Sequence, residues 1–176
     1  MPMLLLDEIE ILAGVAKIAT EIKAKPSVIP DVVIPIMTGA LFFCADLMRE
    51  LFPDVNPIIA PIKLTRLPRL TLPGKFIVTA PHDWYKWIPE GLNGKRVLIV
   101  DTVYDTGATM SALVQMLSQR DTRSVYTAAL IWKNLGDEAV GKPDYYGHDL
   151  KGKKQFLYGY GMDKDNRYRA LRTVCF

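Results

Sequence analysis

Cysteine and histidine are scarce in this chain, whose 176 residues hold only two of each. Cys44 and Cys175 stand in the apolar contexts FFCAD and TVCF. That reads as two buried free thiols in a reducing compartment and excludes a disulfide framework. His82 and His148 lie far apart, which excludes a Cys/His zinc site. Long apolar runs are missing too, and none approaches the ~20 residues that a bilayer-spanning helix needs. The N-terminal MPMLLLDEIE has an apolar trio with no basic residue before it and acids directly after, so no signal peptide is expected. The expectation is a cytoplasmic protein with no membrane partner.

An excess of one charge is also lacking. Twenty-two basic and 19 acidic residues leave a net charge of +3. Lys and Arg form no run longer than a pair apart from KGKK at 151–154. The balance describes a mixed solvated surface with some bias towards anionic ligands; an RNA contact through Lys151, Lys153 and Lys154 is the weaker reading. Repeats and low-complexity segments are absent. With 49% apolar residues, residues 1–176 form a single domain with a sizeable core.

What is present is an alternation of helical and strand patterns. Ile11, Val15, Ile18 and Ile22 recur at helical spacing, which predicts a helix over 7–25 that Pro26 ends. DVVIPIM at 31–37 predicts a buried strand, with Pro35 pointing to an edge or a bulge. A Thr38-Gly39 turn then leads into a helix over 40–51 with Leu41, Ala45, Met48 and Phe52 on its stripe and Asp46–Arg49 as a surface ion pair. Further strands are expected around 58–63, at 124–132, after KPD at 142–144 and at 156–158. The order predicts an α/β fold with a mainly parallel sheet and helices on both faces. Residues 64–90 differ in texture, being rich in proline and carrying Trp84, Tyr85 and Trp87, with a short strand at 76–78. They read as a lid or hood, or as a subunit contact.

The richest stretch is VLIVDTVYDTGATM, Val97 to Met110. A short apolar run entering an acid describes a strand buried on both faces. A Thr- and Gly-rich turn entering a helix leaves backbone N–H groups for an anion. Asp105 beside such a cradle binds hydroxyls, holds a cation or accepts a proton; the plainer reading is that it caps the helix. A phosphorylated sugar with free hydroxyls satisfies the whole stretch. No Gly-Lys-Ser/Thr follows and only one Gly is present, which disfavours both the Walker loop and the dinucleotide fingerprint.

This stretch resembles the phosphoribosyl-pyrophosphate signature of the type I phosphoribosyltransferases. VVIPIMTGALFFCADLMREL resembles the first pyrophosphate loop and helix of the hypoxanthine-guanine branch. ALIWKN resembles its purine-contacting strand, and FLYGYGMDKDNRYRAL its C-terminal block. The resemblance implies the type I phosphoribosyltransferase fold and a purine salvage reaction. In it, a 5-phosphoribosyl group passes from phosphoribosyl pyrophosphate to a 6-oxopurine base (hypoxanthine, guanine or xanthine), giving a nucleoside monophosphate and pyrophosphate. It also implies Mg2+ as cofactor and a homodimer or homotetramer. Residue by residue it implies Asp105 as the acid–base group at purine N7. Thr106, Gly107, Ala108 and Thr109 would hold the 5′-phosphate, and Asp101 and Thr102 the ribose. Lys133, Phe156, Leu157 and Val103 would meet the purine. Thr38, Gly39 and Arg169 would meet pyrophosphate, and Asp163 the metal. Unaided, Phe156 reads as core, Arg169 as surface and Lys133 as a snorkelling strand-end residue.

Three positions depart from the family pattern. Thr102 stands where a second acid is usual, Thr38 where Lys is frequent, and Thr65-Arg66-Leu67 where the lid usually carries Ser-Tyr. They touch phosphoribosyl-pyrophosphate handling more than base binding. They also support an alternative, a non-catalytic nucleotide or phosphoribosyl-pyrophosphate sensor on the same scaffold.

Overall fold

Strands that bury both faces bind a helix layer on each side, and the alternation along them decides which. The computed structural model describes residues 3–68, 76–79, 88 and 91–176. In chain order the elements are β1 (Leu4–Leu6), α1 (Glu8–Lys23), β2 (Val32–Met37), α2 (Leu41–Leu51), β3 (Ile58–Ile59), β4 (Ile62–Lys63), β5 (Thr65–Pro68), β6 (Phe76–Thr79), β7 (Arg96–Tyr104), α3 (Ala108–Ser118), β8 (Ser124–Trp132), β9 (Tyr145–Asp149) and β10 (Val174–Cys175). The main sheet runs β3-β2-β7-β8-β9, with β4 also on β2, and all its pairings are parallel. Val33, Leu98, Val100 and Leu130 pack with α1 and α2; Val32, Ile34, Val97 and Ile99 pack with α3. The expected fold class is therefore the observed one.

Helix α1 begins where its cap dictates. The Asp7 carboxylate accepts the Glu10 N–H at 2.8 Å, and the Glu10 carboxylate accepts the Asp7 N–H at 2.9 Å, a reciprocal cap. Helix α2 shows the opposite face to the one expected. Phe43, Cys44, Leu47 and Leu51 are buried, whereas Leu41 and Phe52 are exposed. The helix is apolar on two stripes, and packing against α1 and β7 selects the one centred on Leu47. Burial raises the Cys44 thiol to about 11, so it stays a protonated apolar group; Cys175 is buried and free as well.

Pro35 lies inside the sheet, not at an edge. It pairs with Val100 of β7 on one side. On the other side Val33 O accepts from Ala60 N at 2.8 Å. Pro35, two residues on, presents its backbone in that same direction, where the neighbouring strand is interrupted between β3 and β4. A residue without an N–H therefore sits where no ladder bond is needed. The strand expected at 156–158 is reduced to a bridge between Tyr158 and Cys175; the last strand is β10, antiparallel to β1. In the 64–90 excursion β5 and β6 form an antiparallel pair, and Trp84, Tyr85 and Trp87 lie outside the described residues.

At the amino ends of β2 and β7, Arg96 grips Asp31. Its Nε and Nη2 donate to the carboxylate at 3.0 and 2.9 Å, and its backbone N–H at 2.8 Å. The guanidinium bond holds the Asp31 carboxyl down at about 2, below its ordinary 3.8. A depressed acid contributes stability above its unfolded pKa and loses it as pH falls through the folded one. Asp31→Asn is expected to cost about 1 kcal/mol at neutral pH, after allowing for solvent screening. In denaturant titrations that deficit should close between pH ~4 and ~2.

Candidate active site at the carboxyl ends of the central strands

Strand β7 runs out at Tyr104, and Asp105, Thr106 and Gly107 carry the chain into α3. Gly107 is the N-cap with φ 76°, and no side chain caps the helix. A Cβ there would lie 2.5 Å from both Tyr104 Oη and Val140 O, so only glycine fits. Among the described residues the N–H groups of Thr106 and Gly107 donate to no protein acceptor, which leaves them for an anion at the helix N-terminus. The turn is held from behind. Val140 N donates to Thr106 O at 2.7 Å, and Tyr104 Oη donates to Val140 O at 2.5 Å. Burial keeps the Tyr104 phenol protonated by raising its pKa. Sequence reasoning missed Tyr104; its signal was a phenol hydroxyl at the end of a strand that, after Arg96, is apolar but for Asp101 and Thr102.

Asp105 does not cap α3. Its carboxylate lies 3.0 Å from Lys133 Nζ, and Lys133 is only 6% exposed. Both the capping and the snorkelling readings are thereby set aside. The two residues meet because β7 and β8 pair in register to Tyr104 and Trp132. The next residue on each strand then reaches across the same carboxyl end, and Lys133 N donates to Tyr104 O at 3.0 Å.

Thr38 and Gly39 join β2 to α2. Their N–H groups likewise donate to no protein acceptor among the described residues, while Ala40 N returns to Ile36 O at 3.0 Å. Thr102 does not take up the ribose position expected of it. It is 0% exposed, because the alternation of β7 turns it into the fold, and its Oγ1 donates to Gly39 O at 2.8 Å. Its backbone N–H donates to Asp101 Oδ1 at 2.8 Å. Against the same carbonyl, Gly161 packs so closely that a Cβ on it would lie 2.1 Å from Gly39 O.

These pieces enclose a cleft of 380 Å³, within the ~300–1,000 Å³ of small-ligand sites. Asp101, Val103, Asp105 and Lys133 come from β7 and β8, and Thr38 and Gly39 from the β2–α2 turn. Phe156, Leu157, Asp163 and Arg169 come from the C-terminal segment. Phe156 is not core: it is 65% exposed. Met162 joins the wall without having been singled out. Arg169 donates to Gly161 O at 2.7 Å and pairs with Asp163 at 2.7 Å, so two residues expected to act separately stand together. Tyr160 ties this segment to α2 through Asp46 at 2.5 Å, an acid that also pairs with Arg49 at 2.6 Å. Thr106 and Gly107 lie on the adjoining turn, and Ala108 and Thr109 open α3. The cluster of Lys151, Lys153 and Lys154 stands apart, and Lys154 is neutralised by Glu138 at 2.5 Å.

No group of three or more His, Cys, Asp or Glu comes together among the described residues. Magnesium needs no such cage: it binds through one or two carboxylates plus phosphate oxygens. Asp163 and Asp101 in a cleft with open backbone donors fit that requirement. Nor is any helix of the described residues long and apolar enough to cross a membrane.

The phosphoribosyl transferase domain family matches residues 5–165. The hypoxanthine-guanine-xanthine phosphoribosyltransferase of Tritrichomonas foetus is 30% identical over 144 residues, 81% of this chain and 73% of that protein. The human hypoxanthine-guanine phosphoribosyltransferase is 37% identical over 84 residues, 48% of this chain and 38% of that one. The crystal structure of the Trypanosoma cruzi hypoxanthine phosphoribosyltransferase superposes with a TM-score of 0.75 at 27% identity, covering 98% of this chain and 94% of that one. The family match takes in the phosphate turn, the strand ends and the C-terminal segment as far as residue 165, short of Arg169, and the chain belongs to the phosphoribosyltransferase family, on its hypoxanthine-guanine branch.

Proposed function

We propose that the chain transfers a 5-phosphoribosyl group from phosphoribosyl pyrophosphate to a 6-oxopurine, releasing pyrophosphate. The observation that carries this reading is the lining of the cleft: Lys133, Phe156 and Leu157, Thr38, Gly39 and Arg169 share it with Asp105, whose carboxylate lies 3.0 Å from Lys133 Nζ.

The 5′-phosphate sits on the open N–H groups of Thr106 and Gly107, completed by Ala108 and Thr109 at the positive end of α3. Asp101 accepts from ribose hydroxyls. The base stacks on Phe156, flanked by Val103, with the Leu157 backbone at its exocyclic edge; the buried Lys133 ammonium donates to O6, the acceptor of a 6-oxopurine. Bond breaking places positive charge on the ribose and negative charge on departing pyrophosphate. Thr38 and Gly39 N–H groups and the Arg169 guanidinium meet the latter. As purine N9 bonds to C1′, the N7 proton passes to Asp105, leaving a neutral base. When bound, magnesium held by Asp163 with Asp101 nearby supplies charge neutralisation at the diphosphate. A cytoplasmic homodimer or homotetramer belongs to the same proposal, and native mass checks the assembly.

The decisive experiment supplies hypoxanthine, guanine and xanthine in turn with phosphoribosyl pyrophosphate and magnesium. Nucleotide formation from at least one is expected. A folded protein that turns over none of them, yet is stabilised by GMP or IMP, would instead be a sensor.

A further inference from the structure

We propose that Thr102 is a positioning residue for the diphosphate loop, a role that only a hydroxyl can fill at this place. The inference rests on the reaction proposed above, but its central observation does not. Thr102 Oγ1 donates to Gly39 O at 2.8 Å from a side chain with no exposure to solvent. Gly39 is held by one neighbour and crowded by another at its carbonyl oxygen. Thr102 holds its carbonyl, Gly161 presses against the same oxygen, and Asp101 Oδ1 lies 3.5 Å from where a Gly39 Cβ would be.

Holding that carbonyl into the fold sets the orientation of the turn. The N–H groups of Thr38 and Gly39 carry no protein acceptor among the described residues, and both residues line the cleft. A turn that keeps two donors aimed at one place binds an anion without reorganisation. An ionised carboxylate at position 102 cannot do this. It is acceptor-only, so it would face the Gly39 carbonyl with a second lone-pair group, in a buried spot beside the charge of Asp101. Thr102 is thus a different solution at this position, a neutral clasp between the β7 strand end and the β2–α2 turn. Thr102→Val keeps the shape and removes the donor; Thr102→Ser keeps the donor and removes a methyl.

The test measures inorganic pyrophosphate binding by calorimetry in the presence of magnesium, alongside KM for both substrates. Thr102→Val should weaken pyrophosphate binding and raise KM for phosphoribosyl pyrophosphate about tenfold, with KM for the base within about twofold. Thr102→Ser should restore both, and Thr102→Asp should be at least as impaired as Thr102→Val. If Thr102→Val does not fold, Thr102→Ala gives the same comparison. Unchanged pyrophosphate affinity in the variant without the hydroxyl overturns the inference. So does a Thr102→Asp protein that binds phosphoribosyl pyrophosphate as tightly as the parent. Absence of turnover in the parent with every base would refute the proposed reaction alone, because the calorimetric comparison still reads the clasp.

Discussion

Asp105→Asn is expected to lower kcat by about 10²–10⁴-fold, the contribution of a positioned acid–base group. The amide keeps the shape and the hydrogen-bonding oxygen but cannot accept a proton from N7. Viewed as a strand-end carboxylate facing only a ligand, Asp105 would be replaceable with little loss of stability. The contact with Lys133 at 3.0 Å changes that. Lys133 is buried, and the substitution leaves its ammonium beside a neutral group. Asp105 is itself half exposed, so water can partly replace the lost charge and the cost should be about 1–3 kcal/mol. Steady-state kinetics and denaturant unfolding on one preparation separate the two effects. A rate within tenfold of the parent would remove Asp105 from proton transfer. Adding Lys133→Met to Asp105→Asn should recover part of the stability and none of the rate, because an apolar residue of similar size removes the stranded charge.

The same pair shows where sequence reading reaches its limit. Strand β8 and the apolar part of β7 were legible because a parallel strand buried on both faces must be apolar along its length. The phosphate turn was legible because its chemistry is local, a short run of Thr and Gly after an acid. Side chains that act across the fold were not. Lys133 ends an apolar strand, and nothing within ALIWKN distinguishes a surface lysine from one that reaches across to the neighbouring strand end. Tyr104 and Thr102 were hidden for a related reason. Each makes its contact with a backbone carbonyl distant in sequence, at Val140 and Gly39, and a carbonyl has no residue-type signature. The stripe on α2 was ambiguous because both of its faces are apolar. Pro35 misled because the rule that sends proline to an edge concerns missing donors, and a gap between β3 and β4 provides the same relief inside the sheet.

Gly161→Ala should have the second large effect, and it tests whether the C-terminal segment builds the diphosphate side of the cleft. Two penalties act there. The residue has φ 98°, a left-handed conformation that costs an L side chain ~1–2 kcal/mol. The added Cβ would also lie 2.1 Å from Gly39 O, a backbone atom that the Thr102 hydroxyl holds in place. Relief requires Gly39 or the 159–163 turn to move, and Arg169 moves with that turn because it donates to Gly161 O at 2.7 Å. The expected result is a loss of about 3 kcal/mol in stability together with a rise of about tenfold or more in KM for phosphoribosyl pyrophosphate. Two other glycines supply the controls. Gly136 has φ 60° with nothing within 4 Å of an added Cβ, so Gly136→Ala measures backbone strain alone. Gly159 has φ 93° and would meet Thr173 O at 2.1 Å, a comparable clash outside the cleft lining. Gly159→Ala should therefore destabilise as Gly161→Ala does while raising KM for phosphoribosyl pyrophosphate less, because its added methyl meets Thr173 and not Gly39, although Gly159 shares the turn. If the two variants raise that KM equally, the Gly39–Gly161 contact supports only the fold; if Gly161→Ala raises it further, the contact sets the geometry of diphosphate binding.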